Sequence, residues 1–187
     1  LSSATNKIAE GELMQLANKN NLNTSLQQLK KISYYKTGRL FEASAKSAAM
    51  LSGKSIPFIE NISKAAKLIG IAFQVRDDLL DYGVSKGNIG KPEMQDILED
   101  KITYPLYFAL KNSSKKDSSK ILKKLKNKDF SIEEVADFVS SSNAFNKCNS
   151  LIQNYSNEIS KCINQISNKE IRDEMLNLSE SLKNRYE

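Results

Sequence analysis

Apolar residues recur every three or four positions through most of the chain, the spacing that turns one face of a helix toward a core. The clearest case is 57–82, where Ile59, Ile62, Ala66, Ile69 and Phe73 form one stripe. Ser55 and Pro57 open this helix, and Gly83 ends it as a residue just past the C-cap does. At 1.5 Å per residue it runs ~39 Å. The same spacing predicts helices over 3–18, 25–51, 95–111, 117–127, 131–140, 142–165 and 168–186. Thr24 with Gln27, and Ser131 with Glu134, read as capping boxes, and "SGKS" (52–55) stops the second helix. "GVSKGNIGKPEMQ" (83–95) reads as a loop. No alternating strand pattern and no repeat occurs, so the fold class is all-α, one helical domain over 1–187.

The long helix ends on "RDDLLD" (76–81). Asp77, Asp78 and Asp81 lie at a helix C-terminus, where partial negative charge disfavours anions. Asp77 and Asp81 also repel across one turn, by roughly 0.2–0.5 kcal/mol. No lysine or arginine lies three or four positions from any of the three. Continued past Phe73, the apolar stripe reaches Asp77 and then Leu80 or Asp81, which places these acids on the buried face. Inward carboxylates without histidine or thiolate suit a hard cation, Mg²⁺ above all, which bridges carboxylates to substrate phosphates.

Composition narrows the function further. The absence of histidine excludes a Cys–His nucleophile, and Cys148 and Cys162 read as free thiols of a reducing cytoplasm. No apolar run has the length of a membrane span, and "LSSATNKIAEGEL" (1–13) has no signal-peptide pattern. The net charge of +6 is uneven, because 111–129 holds eight lysines against two aspartates. That stretch has neither arginine nor an aromatic ring to stack bases. It reads as a solvated surface hairpin with weak peripheral attraction to anionic membrane, not as a nucleic-acid platform.

Cations and hydrogen-bond donors suited to a diphosphate accompany the acids: Lys36 and Thr37, Gln74, Lys91 and Lys101. The ordered motifs "GELMQL" (11–16), "KTGRLFEAS" (36–44), "GIAFQVRDDLLDY" (70–82), "GKP" (90–92) and "DILEDKITYPL" (96–106) carry a resemblance. Over roughly residues 10–110 the chain resembles the trans-polyprenyl diphosphate synthases, the farnesyl and octaprenyl diphosphate synthase family.

The resemblance implies an isoprenoid synthase-type helical bundle around a central cavity. It also implies Mg²⁺-dependent, head-to-tail condensation of isopentenyl diphosphate with an allylic diphosphate. Carried over, Lys36, Thr37 and Gln74 are catalytic, and Lys36, Gln74, Lys91 and Lys101 contact diphosphate. Asp77 ligates the metal, with Asp78 and Asp81 supporting it through water. The family is commonly dimeric, and the small residues of "EASAKSAAM" (42–50) suit a homodimer through 3–18 and 25–51.

Two positions depart from the family pattern: its glycine before the later lysine is Asp100, and its T-L-P is "TYP" (103–105). The family's first aspartate-rich motif is not found. The chain therefore resembles the larger, C-terminal part of a member, without its N-terminal helices, and is expected to be inactive alone. The alternative reading is a non-catalytic subunit or degenerate paralogue that binds a partner or Mg²⁺-diphosphate. A terpene cyclase fits less well with "KTG" and "GKP" present together.

Overall fold

The computed structural model of the chain describes residues 2–85, 88–89 and 94–184. Helices α1 (Ser2–Ala17), α2 (Leu26–Ser33), α3 (Arg39–Leu51) and α4 (Ile56–Asp81) come first. A two-residue antiparallel pair follows, β1 (Val84–Ser85) against β2 (Asn88–Ile89), with Val84 opposite Ile89. Then come α5 (Gln95–Leu98), α6 (Tyr104–Asn112), α7 (Lys115–Asn127), α8 (Ile132–Ser141), α9 (Ala144–Ile163) and α10 (Lys169–Asn184). Among the described residues, no helix is long and apolar enough to cross a membrane.

The central element is α4. Helices α3 and α9 both lie along it, and α10 packs on α9 and α4. Ala65, Ile69, Ala72, Val75 and Leu79 of α4 are almost fully enclosed, with Leu151, Ile152, Ile159 and Ile163 of α9 against them. A second apolar cluster joins Met94, Ile97 and Leu106 to Ile121, Val135 and Val139, and so gathers α5 to α8 beside the end of α4. Small residues let α4 be approached closely from its other side. A methyl group added at Gly70 would stand 2.6 Å from the Gly38 Cα, a separation real side chains do not show.

The structure corrects four expectations. The helix expected over 25–51 is interrupted, because Tyr34–Gly38 form a π turn between α2 and α3. The N-cap of α2 is Ser25, whose hydroxyl accepts from the Gln28 N–H, and not Thr24. Thr24 is buried, and its hydroxyl already donates to the Asn21 carbonyl at 2.7 Å. The helix expected over 95–111 is two helices: Asp100 takes a left-handed backbone (φ +65°), and Pro105 restarts the chain near the N-terminus of α6.

Last, Asp77 is exposed and its neighbour Asp78 is buried. A single-stripe reading fails here because α4 is covered from two directions. Its open side is the line Lys64, Lys67, Gln74, Asp77, none of which is buried. Other readings hold: Gly83 closes α4 at φ +71°, Ser131 caps α8 by accepting from Glu134 N–H, and both cysteines are free.

Candidate functional site

The π turn carries Lys36 and Thr37. A π turn inserts one residue into a helical ladder and re-aims the side chains around it, and such turns frequently mark functional sites. Two glycines make room for this one. Gly38 meets Gly70 of α4, and Gly11 of α1 lies so close that an added methyl would stand 2.5 Å from the Lys36 amide nitrogen. The backbone of Lys36 is thereby held between α1 and α4.

From this turn a chain of hydrogen bonds runs into α4. The Thr37 hydroxyl donates to Gln74 Oε1 at 2.8 Å, and Gln74 Nε2 donates to Asp78 Oδ1 at 2.9 Å. The Tyr104 N–H, in the first turn of α6, donates to Asp78 Oδ2 at 3.2 Å. Burial pushes the Asp78 carboxyl up to about 8, and the nearby charge of Asp96 adds to this against the two hydrogen bonds. Asp78 is therefore an internal post of the site, its carboxyl biased toward the neutral form by burial.

Asp81 serves a different purpose. Its two carboxylate oxygens accept from the Gln95 N–H (2.8 Å) and the Asp96 N–H (3.2 Å) at the start of α5. Of the three acids, Asp77 alone has no hydrogen bond or ion pair among the described residues. No group of three His, Cys, Asp or Glu side chains there converges closely enough to hold a metal by itself. The described residues thus form no all-protein cage, and the exposed Asp77 offers one oxygen donor of the kind a hard cation takes when water and phosphate oxygens complete its shell.

The lysines arrive from two other segments. Lys36 Nζ donates to Gln15 Oε1 at 2.6 Å and lies 3.3 Å from Glu12 Oε2, both on α1. Lys101 Nζ lies 2.7 Å from Glu99 and 3.5 Å from Asp96. Burial alone would lower the Lys101 ammonium, but the bond to Glu99 and the charges of Asp96 and Glu99 outweigh it and raise it. Burial pushes Asp96 up as well, and Asp81 adds to this while Lys101 opposes it. Lys36, Gln74, Asp78 and Lys101 line one cleft together with Gln15 and Tyr104. Lys91 lies outside the described residues.

Asp100, where the family pattern has glycine, explains itself in this geometry. The Asp100 N–H donates to the Ile97 carbonyl and the Lys101 N–H to the Asp96 carbonyl, closing α5 with the two bonds of a Schellman end. The turn needs a left-handed residue at position 100, which glycine adopts freely and aspartate tolerates. Lys101 is delivered to the cleft all the same. The sequence reading missed Glu12, Gln15 and Asp96. Their signals were present: Gln15 stands one turn after Gly11, and Asp96 opens the stretch that ends in Lys101.

Comparison with known proteins meets this geometry. A sequence profile described as polyprenyl synthetase matches residues 1–142. The octaprenyl diphosphate synthase of Haemophilus influenzae is 35% identical over 121 residues, covering 65% of this chain and 37% of that protein. A polyprenyl synthase from Caulobacter crescentus CB15, crystallised with calcium and isoprenyl diphosphate, aligns at a TM-score of 0.90 and 25% identity. That alignment covers 100% of this chain and 58% of the other. A decaprenyl diphosphate synthase from Rhodobacter capsulatus aligns at 0.89 with 24% identity and shares the fold. The chain spans a little over a third of the length of the curated relative. With most of its length matched by that one profile, and with the all-α isoprenoid synthase fold of these structures, the chain belongs to the polyprenyl synthetase family.

Proposed function

We propose that this chain, as one helical domain, supplies the diphosphate-binding side of a trans-polyprenyl diphosphate synthase. The reaction joins isopentenyl diphosphate head-to-tail to an allylic diphosphate. One observation carries the reading: Lys36, Gln74, Asp78 and Lys101, brought from three separate segments, line a single narrow cleft, and the exposed Asp77 precedes Asp78 on α4.

In this reading Lys36 and Lys101 hold the leaving diphosphate. Both ammonium groups sit against carboxylates that an anionic substrate can replace or share. The Thr37 bond fixes the carbonyl end of Gln74, and Asp78 fixes its amide end. The site thus presents oriented dipoles before any charge develops, which costs no reorganisation during reaction. Mg²⁺, when bound, neutralises charge that grows on the leaving diphosphate. Asp77 would ligate it directly, with Asp78 and Asp81 supporting it through water, and Lys91 would add a contact to the diphosphate.

The proposal includes a homodimer through α1 and the α2–α3 stretch. Leu13 and Leu16 of α1, both exposed, support a covering partner on that side. The free, buried Cys148 and Cys162 support a reducing, cytoplasmic setting. The test is incorporation of labelled isopentenyl diphosphate by the complete gene product with an allylic diphosphate and Mg²⁺. Absence of product, with Mg²⁺-diphosphate binding intact, would favour a non-catalytic subunit. Light scattering checks the dimer, and a monomer at micromolar concentration would count against it.

A further inference from the structure

Helix α7 buries Ile121 and Leu125 and turns its other side outward. The nineteen residues 111–129 hold eight lysines and two aspartates, whereas the other 168 hold twenty cationic and twenty anionic side chains. The entire net charge of the chain therefore lies on this helix and its ends. At about 100° per residue, Lys115, Lys116, Lys120, Lys123 and Lys126 fall within one arc of about 140°, centred opposite Ile121 and Leu125. All five are exposed. The same arc otherwise holds only Ser119 and Asn127.

Two neighbouring lysines show what a structural role looks like. Lys124, off the arc, pairs with Glu134 at 2.6 Å, and Lys128, after the helix, pairs with Asp100. None of the five makes an ion pair or hydrogen bond among the described residues. Like charges three and four apart destabilise a helix. The cluster thus works against its own element and is not accounted for by folding.

We propose that this face of α7 docks the protein on anionic lipid bilayers. Lysine suits a diffuse anionic surface, because its ammonium is a mobile point charge. Specific phosphate forks call for arginine, and single-stranded nucleic acid calls for aromatic stacking; the arc has neither. It also has no apolar side chain to insert, so contact is superficial and electrostatic. Each lysine near such a surface strengthens binding roughly fivefold. The docked helix adjoins the cleft: Leu125, Asp100 and Lys101 line one crevice, and Lys101 also lines the diphosphate cleft. The proposal stands whether or not the catalytic reading does.

The test is co-sedimentation of the complete gene product with phosphatidylcholine vesicles and with vesicles containing phosphatidylglycerol, at low and high salt. Binding is expected on the anionic vesicles alone, with release at high salt as exposed charges are screened. Replacing Lys115, Lys116, Lys120, Lys123 and Lys126 by glutamine is expected to weaken binding on the order of 10³-fold. Glutamine keeps helix propensity close to that of lysine, and circular dichroism checks the fold. The pair Lys120→Glu and Lys123→Glu gives a second reading should the fivefold variant fail to fold. A control removing equal charge at Lys46, Lys54, Lys147, Lys161 and Lys169 is expected to bind as wild type. Equal binding by the α7 variants, equal loss in the control, or equal binding to neutral vesicles overturns the proposal. Tighter capture of a single-stranded RNA than of anionic vesicles at the same salt overturns it in favour of nucleic acid.

Discussion

Thr37 donates its hydroxyl hydrogen to Gln74 Oε1 at 2.8 Å, joining the π turn to the helix that carries the three acids. The two residues are 37 positions apart in sequence. Their contact depends on Gly38 and Gly70 meeting with no side chain between them.

That close approach is testable by itself. Gly70→Ala is expected to destabilise the protein by about 1–3 kcal/mol, the usual cost of overpacking. Urea denaturation measures it. Diphosphate affinity should fall as well, since the strain acts on the turn that carries Lys36 and Thr37. Unchanged stability would mean that the crossing is looser than 2.6 Å implies.

Asp77→Ala separates metal binding from folding. Asp77 is exposed and takes part in no hydrogen bond or ion pair among the described residues, so stability without metal should stay within about 0.5 kcal/mol. Calorimetry with Mg²⁺ and a diphosphate should show a clear loss of affinity. Equal affinities in wild type and variant would remove Asp77 from the ligand set.

Asp78 gives the metal-free protein a pH dependence of definite sign. Its carboxyl is pushed up to about 8 in the fold, chiefly by burial, against about 3.9 when unfolded. Between these values the folded state holds the extra proton, so stability is full below the lower value and falls as pH rises toward the upper one. The slope is at most about 1.4 kcal/mol per pH unit. Asp78→Asn should flatten this window in urea titrations. Gln74 can turn its amide to suit the new side chain, because the Thr37 hydroxyl both donates and accepts. A variant with the wild-type slope would place the proton elsewhere.

Position 100 tests the backbone reading. Asp100→Gly and Asp100→Ala lose the same exposed pairing with Lys128, so comparing them cancels that contribution. The left-handed backbone at φ +65° then favours glycine over alanine by about 1 kcal/mol. Thermal or urea melts of the two variants decide it, and equal stabilities would contradict the assigned turn.

How much of this was written in the chain differs between helices and site. Helix positions were legible because apolar spacing, Gly83 and the Ser131 cap act locally, within a few residues of the elements they define. The ordered motifs around Lys36, Gln74, Asp77 and Lys101 were likewise legible as text. Which acid turns inward was not. Periodicity reports one buried face, whereas α4 is enclosed by α3 and α9 from two directions, leaving Asp77 open and Asp78 buried. The π turn also escaped detection, because its cause is distant: Gly11 and Gly70 admit the backbone of 36–38 from two other helices. Gln15 and Asp96 became site residues in the same way, through partners 21 positions away in one case and a left-handed turn at Asp100 in the other. Local sequence determined where the chain coils; packing between distant helices decided which side chains share the cleft.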